Sequence, residues 1–174
     1  GILRNGTGGT GVTIVSGNRL LRQERMSLFG KKTEQENGLS ASELYVRALN
    51  CMVDGNKGRA MDYLKRSVRM DTNNIDAYLK LGILYRKTGE ASRAYRIHKE
   101  LTIRPRLPRR MRIEILQNIV LDLKEMEEYE SAMRFLHELA EMDKNLSWVW
   151  EQKIEIHEIL KNWKEAYAVY KQYR

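Results

Sequence analysis

Cysteine is almost absent from the 174-residue chain, where Cys51 stands alone. An intrachain disulfide and a cysteine-only metal site are therefore excluded, and a reducing compartment is expected. Proline occurs twice and aromatic residues make up 8% of the chain. No stretch approaches the roughly 18 uninterrupted apolar residues of a membrane-spanning helix, and the N-terminal segment has neither the apolar core nor the small-residue cleavage site of a secretory signal. Scarce proline beside abundant Leu, Ala, Glu, Lys, Arg and Met predicts an almost wholly helical protein. The length suits one domain or a short array of repeats and excludes a multidomain enzyme.

Glycine is unevenly spread. Residues 1–40 hold 8 of the 12 glycines, show no helical periodicity and end in the polar run KKTEQENG, the composition of a mobile leader and linker. Met26, at the head of MSLFGKK, offers a natural start that would leave 1–25 as upstream sequence. Gly6, Gly8 and Gly11 spell GxGxxG. A dinucleotide loop needs a strand before it and a helix opening after it, whereas only five residues precede this one, so it reads as part of the leader.

From Ser40 onward apolar residues recur at spacings of three and four, broken by short turns. Ala60 in GNKGRAMDYLKRS and Ala94 in GEASRAYRIHKEL lie 34 residues apart, as do Ala132 in YESAMRFLHEL and Ala166 in WKEAYAVYKQY. The step from Ala94 to Ala132 is 38, which places four extra residues in the second connection, around RPRLPRR. A 34-residue period with a small residue in the second helix is the tetratricopeptide pattern. It predicts an all-α, right-handed solenoid of antiparallel helix pairs over 41–174, with repeats at about 41–74, 75–112, 113–146 and a partial 147–174. Gly55 and Gly89 fall where first helices end and a left-handed residue is wanted. The last unit stops inside its second helix and leaves Val169, Tyr170 and Tyr173 uncovered, which suggests the front piece of a longer array or association through that end.

The stretch LGILYRKTGEASRAYRIHKEL at 81–101 resembles the second repeat of the lipopolysaccharide assembly protein B family, bacterial tetratricopeptide adaptors. Gly82, Arg86, Gly89, Glu90, Arg93, Ala94, Arg96, Ile97 and His98 match that family's GxLxRxxGExxRAxRIH. The resemblance runs on through RIEILQNIVLDL, EYESAMRFLHEL and NWKEAYAVY, over about residues 42 to 174. It implies a cytoplasmic adaptor, at the inner face of the inner membrane in the full-length parent, that presents the deacetylase of lipid A synthesis to a membrane-bound protease. The family also carries an N-terminal membrane helix and paired CxxC metal ligands. Residues 1–40 are polar and glycine-rich and the chain has no CxxC, so anchoring and metal binding do not carry over.

Chemistry-bearing residues are few. His98, His137 and His157 fall on different helices and no HExxH occurs, so each is expected as a packing or boundary histidine. Cys51 shares its register position with Tyr85 and Leu123, which predicts a buried structural thiol. Nothing resembles a nucleophile with a partnered base, and no catalytic residue, cofactor or metal is expected.

Binding is expected in the concave groove, lined by first-helix positions that the core does not use. In repeat one these are Tyr45, Val46, Leu49 and Met52; in repeat two, Leu79, Lys80, Ile83, Arg86 and Lys87. Repeat three supplies Gln117, Asn118, Leu121 and Lys124, and repeat four Trp148, Glu151, Gln152 and Glu155. Asn118 and Gln117 could bond the backbone of an extended protein or peptide partner, with Lys80 and Arg86 on its carboxylates; the alternative is ordinary solvated helix faces.

Charge is concentrated elsewhere. The chain carries +8, with 31 basic and 23 acidic residues. Ten of the basic residues lie between Arg86 and Arg112, against only Glu90 and Glu100, so this segment alone nets +8. Arg93, Arg96, Arg104, Arg106, Arg109, Arg110 and Arg112 form its basic patch. Nucleic acid and an anionic membrane surface are the alternative partners, although the patch lacks interleaved aromatics for base stacking.

Overall fold

The computed structural model describes residues 38–173, and the leader, its GxGxxG string and Met26 lie outside the described residues. The described residues fold into helices joined by short turns: α1 (Ala41–Val53), α2 (Lys57–Met70), α3 (Ile75–Lys87), α4 (Ala91–Thr102), α5 (Arg109–Glu125), α6 (Tyr129–Met142), α7 (Ser147–Ile159) and α8 (Trp163–Tyr173). Each helix packs on the next in sequence, and α3 also touches α5 directly, as first helices of successive repeats do in a solenoid.

Local chemistry sets the helix starts. Ser40 and Glu43 form a reciprocal capping box at α1. Asn56 accepts from the Arg59 N–H at 3.1 Å and Asn74 from the Ala77 N–H at 2.9 Å, capping α2 and α3. First helices end in one repeated motif. The N–H groups of Asn56, Glu90, Glu128 and Asn162 bond back to the carbonyls of Cys51, Tyr85, Leu123 and His157 at 2.8–2.9 Å. The residue before each donor, Gly55, Gly89, Glu127 and Lys161, is left-handed, with φ of 73°, 83°, 59° and 58°. The two glycines meet the expectation; at the other two sites a side chain occupies the same strained conformation.

The four small residues that reveal the period are the tightest points of the core: Ala60, Ala94 and Ala132 are fully buried and Ala166 is buried. The central cluster is built by α5 with flanking helices, from Leu79, Leu101, Ile115, Leu116, Ile119, Leu123, Leu136, Leu139, Val149 and Ile156.

The four extra residues lie where the sequence places them, around residues 104–110. Helix α5 runs 17 residues where α1, α3 and α7 each run 13, one added turn at its start, Arg109–Arg112, and the loop before it, 103–108, has six residues where those before α3 and α7 have four. One expectation is corrected. Cys51 is only half-buried, unlike Tyr85 and Leu123 at the equivalent register positions; it lies in the first repeat of the described residues.

Candidate functional site

The groove residues sit on α3, α5 and α7 and meet one another across the repeats. Arg86 Nη1 lies 2.5 Å from Asp122 Oδ1 and 3.2 Å from the Asn118 carbonyl, while Nη2 donates to Asn118 Oδ1 at 3.0 Å. One repeat further on, Lys124 Nζ repeats the relation, donating to Gln152 Oε1 at 2.6 Å and pairing with Glu155 Oε2 at 2.7 Å. Arg86 and Lys124 share a register position, as do Asn118 and Gln152. A cation near the end of α3 and of α5 is therefore tied to an amide on the next first helix, two successive charge-assisted bonds along the array.

This arrangement reassigns part of the expected lining. Arg86, Asn118, Lys124 and Gln152 hold the repeats together, and their polar groups bond within the chain. Lys80 Nζ is 3.9 Å from Glu114 Oε1 across the same face. Ile83, Gln117 and Leu121 are half-buried and Lys87 is exposed, and among the described residues neither Lys87 nor Gln117 makes a side-chain hydrogen bond or ion pair. Leu79 does not line the groove; it is fully buried in the central cluster, because α5 covers that side of α3. In repeat one Tyr45 is half-buried and its phenol pKa is raised, mainly by burial, with Asp76 and Glu114 adding to it.

Beneath these bonds lies a constellation that the sequence hides. Asp122 is fully buried and takes Arg86 on one carboxylate oxygen and His98 Nδ1 on the other. The second ring nitrogen of His98, Nε2, faces the Leu79 carbonyl at 3.2 Å. Both ring nitrogens thus face acceptor oxygens, one a carboxylate and one a backbone carbonyl. The ring lies flat against Gly82, where a β-carbon would come within 2.7 Å of Cε1 and 2.8 Å of Cδ2. His98 takes the register position of Leu64 and Leu136, and Asp122 that of Leu84 and Ile156. Two charged residues in neighbouring repeats replacing leucine-type residues was the signal available in the sequence.

The network is closed to substrate: His98 and Asp122 expose nothing, and each hydrogen-bonding atom already has a partner inside the protein. His137 is exposed and His157 half-buried. Among the described residues no cluster of three or more His, Cys, Asp or Glu side chains could hold a metal ion. A shallow cleft of about 530 Å³ between the α3–α4 turn and the end of α5 is lined by Glu90, Arg93 and Glu125, but Glu90 and Arg93 pair with each other.

The basic patch is a separate surface on α4, the following loop and the start of α5. Arg93, Arg96, Arg106, Arg109, Arg110 and Arg112 are exposed and Arg104 is half-exposed. Aromatic rings do lie among these cations, supplied by the fold: Arg104 stands over Tyr78 at 5.5 Å, Lys99 over Tyr95 at 5.3 Å and Arg93 over Tyr85 at 5.7 Å. Arg109 donates to the Met142 carbonyl, and Arg112 reaches Glu138 at 3.4 Å.

No family model matches the chain. Lipopolysaccharide assembly protein B of Escherichia coli K12 is 27% identical over 145 residues, covering 83% of this chain and 37% of that protein, and the protein of strain O157:H7 gives the same values. Among solved structures, a tetratricopeptide repeat protein from Parabacteroides merdae superposes with a TM-score of 0.65 at 20% identity, over 77% of this chain and 52% of that one. Pseudomonas aeruginosa pilF gives 0.65 at 15% identity, over 77% and 60%. This chain has the tetratricopeptide-repeat fold and resembles lipopolysaccharide assembly protein B. It spans little more than a third of the length of those curated relatives. Among the described residues no helix is long and apolar enough to cross a membrane.

Proposed function

We propose that this array is a non-catalytic adaptor that holds a protein partner along the face of its first helices. Lys80, Ile83, Lys87, Gln117 and Leu121 make the contacts, and Arg86, Asn118, Lys124 and Gln152 fix their spacing. The observation that carries this reading is the repeated cation-to-amide bond between successive first helices, Arg86 to Asn118 and Lys124 to Gln152. A face locked in this way loses little freedom when a partner docks. Its mixed lining, with an exposed lysine, an unpaired amide and flanking Ile and Leu, suits an extended segment bearing both carboxylates and apolar side chains.

By its likeness to lipopolysaccharide assembly protein B, we further propose that the partner is a lipopolysaccharide-synthesis enzyme, the lipid A deacetylase, presented to a membrane protease at the cytoplasmic face of the inner membrane. Pull-down with the cognate deacetylase tests both statements. Lys87→Glu with Gln117→Glu should abolish capture while the helical circular dichroism is unchanged; equal capture by the variant would remove the groove from the account.

A further inference from the structure

The excess charge of the chain has a defined place in the fold, and it surrounds an exposed aliphatic side chain. Ile103 caps α4 at 80% exposure. Lys99 lies one turn earlier on the same helix and Arg96 one turn before that, both exposed. Arg106 follows in the loop with a left-handed φ of 60°, and exposed Arg110 lies in the added first turn of α5. That turn has no acidic residue and no side-chain cap; Arg109 bonds the Met142 carbonyl and Arg112 reaches Glu138, which leaves Arg110 exposed at the positive end of the helix. The same edge of the array carries Met70, 60% exposed at the end of α2.

Two classes of polyanion could meet such a surface, and the aromatic rings decide between them. Binding of single-stranded nucleic acid needs free ring faces on which bases stack. Here Tyr78, Tyr85 and Tyr95 each have a face occupied by a cation of their own chain, and Tyr85 is buried as well. An apolar tip ringed by solvated cations is instead the chemistry of an interfacial membrane contact, in which the aliphatic group enters the headgroup layer and the cations sit on lipid phosphates.

We propose that the end of α4 and the α4–α5 loop dock on an anionic lipid bilayer, with Ile103 inserted and Arg96, Lys99, Arg106 and Arg110 on the phosphates. This surface is distinct from the groove, so a partner held by the first helices would be presented at the membrane.

Co-sedimentation of the chain with phosphatidylglycerol-rich vesicles, with phosphatidylcholine vesicles as reference, tests the proposal. Binding should require the anionic lipid and fall about tenfold or more between about 0.05 and 0.3 M salt. Arg106→Glu with Arg110→Glu should lower partitioning by about tenfold or more. Ile103→Asp should lower it several-fold with the salt dependence retained, and the groove variant Lys87→Glu/Gln117→Glu should bind vesicles normally. Failure to sediment with anionic vesicles at low salt would overturn the proposal, as would binding unaffected by the Arg106 and Arg110 reversals. Filter retention of RNA lost in those reversals, without vesicle binding, would assign the patch to nucleic acid.

Discussion

The imidazole of His98 rests on the bare α-carbon of Gly82, filling space that a β-carbon at residue 82 would need. The ring cannot swing aside, because Asp122 holds one nitrogen and the Leu79 carbonyl the other. Gly82→Ala adds about 1 kcal/mol of helix propensity, yet the overlap should leave a net loss of about 2 kcal/mol in denaturant unfolding. Ala48 with Leu64 and Val120 with Leu136 stand at the equivalent register positions, so a β-carbon is accommodated where the second helix carries leucine, and glycine is required here because it carries histidine.

Asp122 is the acceptor for both the Arg86 guanidinium and the buried His98 ring, which makes it the most sensitive residue of the network. Asp122→Ala leaves His98 Nδ1 without its partner in the core and takes the carboxylate from Arg86, which keeps only Asn118, and should lower stability by about 3–5 kcal/mol. The double variant His98→Leu/Asp122→Leu installs the residue types of the neighbouring repeats and leaves Arg86 bonded to Asn118 with a route to solvent. It should be more stable than Asp122→Ala. A double-mutant cycle should yield a coupling of about 1–3 kcal/mol between positions 98 and 122.

Glu127 and Lys161 occupy left-handed backbone at the ends of α5 and α7, where Gly55 and Gly89 serve in the first two repeats. Replacing either with glycine should therefore stabilise the array by about 0.5–1 kcal/mol, read as a rise in the midpoint of unfolding. A loss would show that these side chains make contacts outweighing the backbone strain.

At the start of α1, hydrogen bonds from the Ser40 backbone and side chain hold the Glu43 carboxyl below its ordinary value of 4.5. A carboxyl depressed in the folded state contributes its full stability above 4.5, and the contribution is lost as pH falls through the lower folded value. Titration followed by nuclear magnetic resonance should find Glu43 below 4.5, and Ser40→Ala should move it back up. Fraying of α1 on acidification should track the same group.

Much of this architecture is legible without coordinates. Ala60, Ala94, Ala132 and Ala166 announce the period because only small residues fit where helices cross, and Gly55 and Gly89 mark helix ends because left-handed backbone favours them. The third and fourth helix ends carry no such mark, since Glu127 and Lys161 tolerate the strain. The Arg86–Asp122–His98 network was hidden for a different reason. Its members are 12 and 24 residues apart along the chain, and a charged side chain on a first helix looks solvated until the next repeat is laid over it. Arg86 was thus expected to meet a partner's carboxylate and meets the chain's own. Several residues behind the family resemblance prove to be framework: Gly82, Arg86 and His98 belong to the network, Gly89 to a helix end, Ala94 to a helix crossing, and Glu90 with Arg93 to an ion pair. The contact residues proposed for the groove lie outside that set, where a pattern of shared framework carries no information about the partner.

Site-specific photo-crosslinking to the cognate deacetylase tests the adaptor account most directly. A photoreactive phenylalanine analogue at Gln117 faces the groove, and one at exposed Arg134 on α6 faces away from it. The account predicts a covalent adduct from position 117 and none from position 134. An adduct from 134 alone, or from neither, would contradict it.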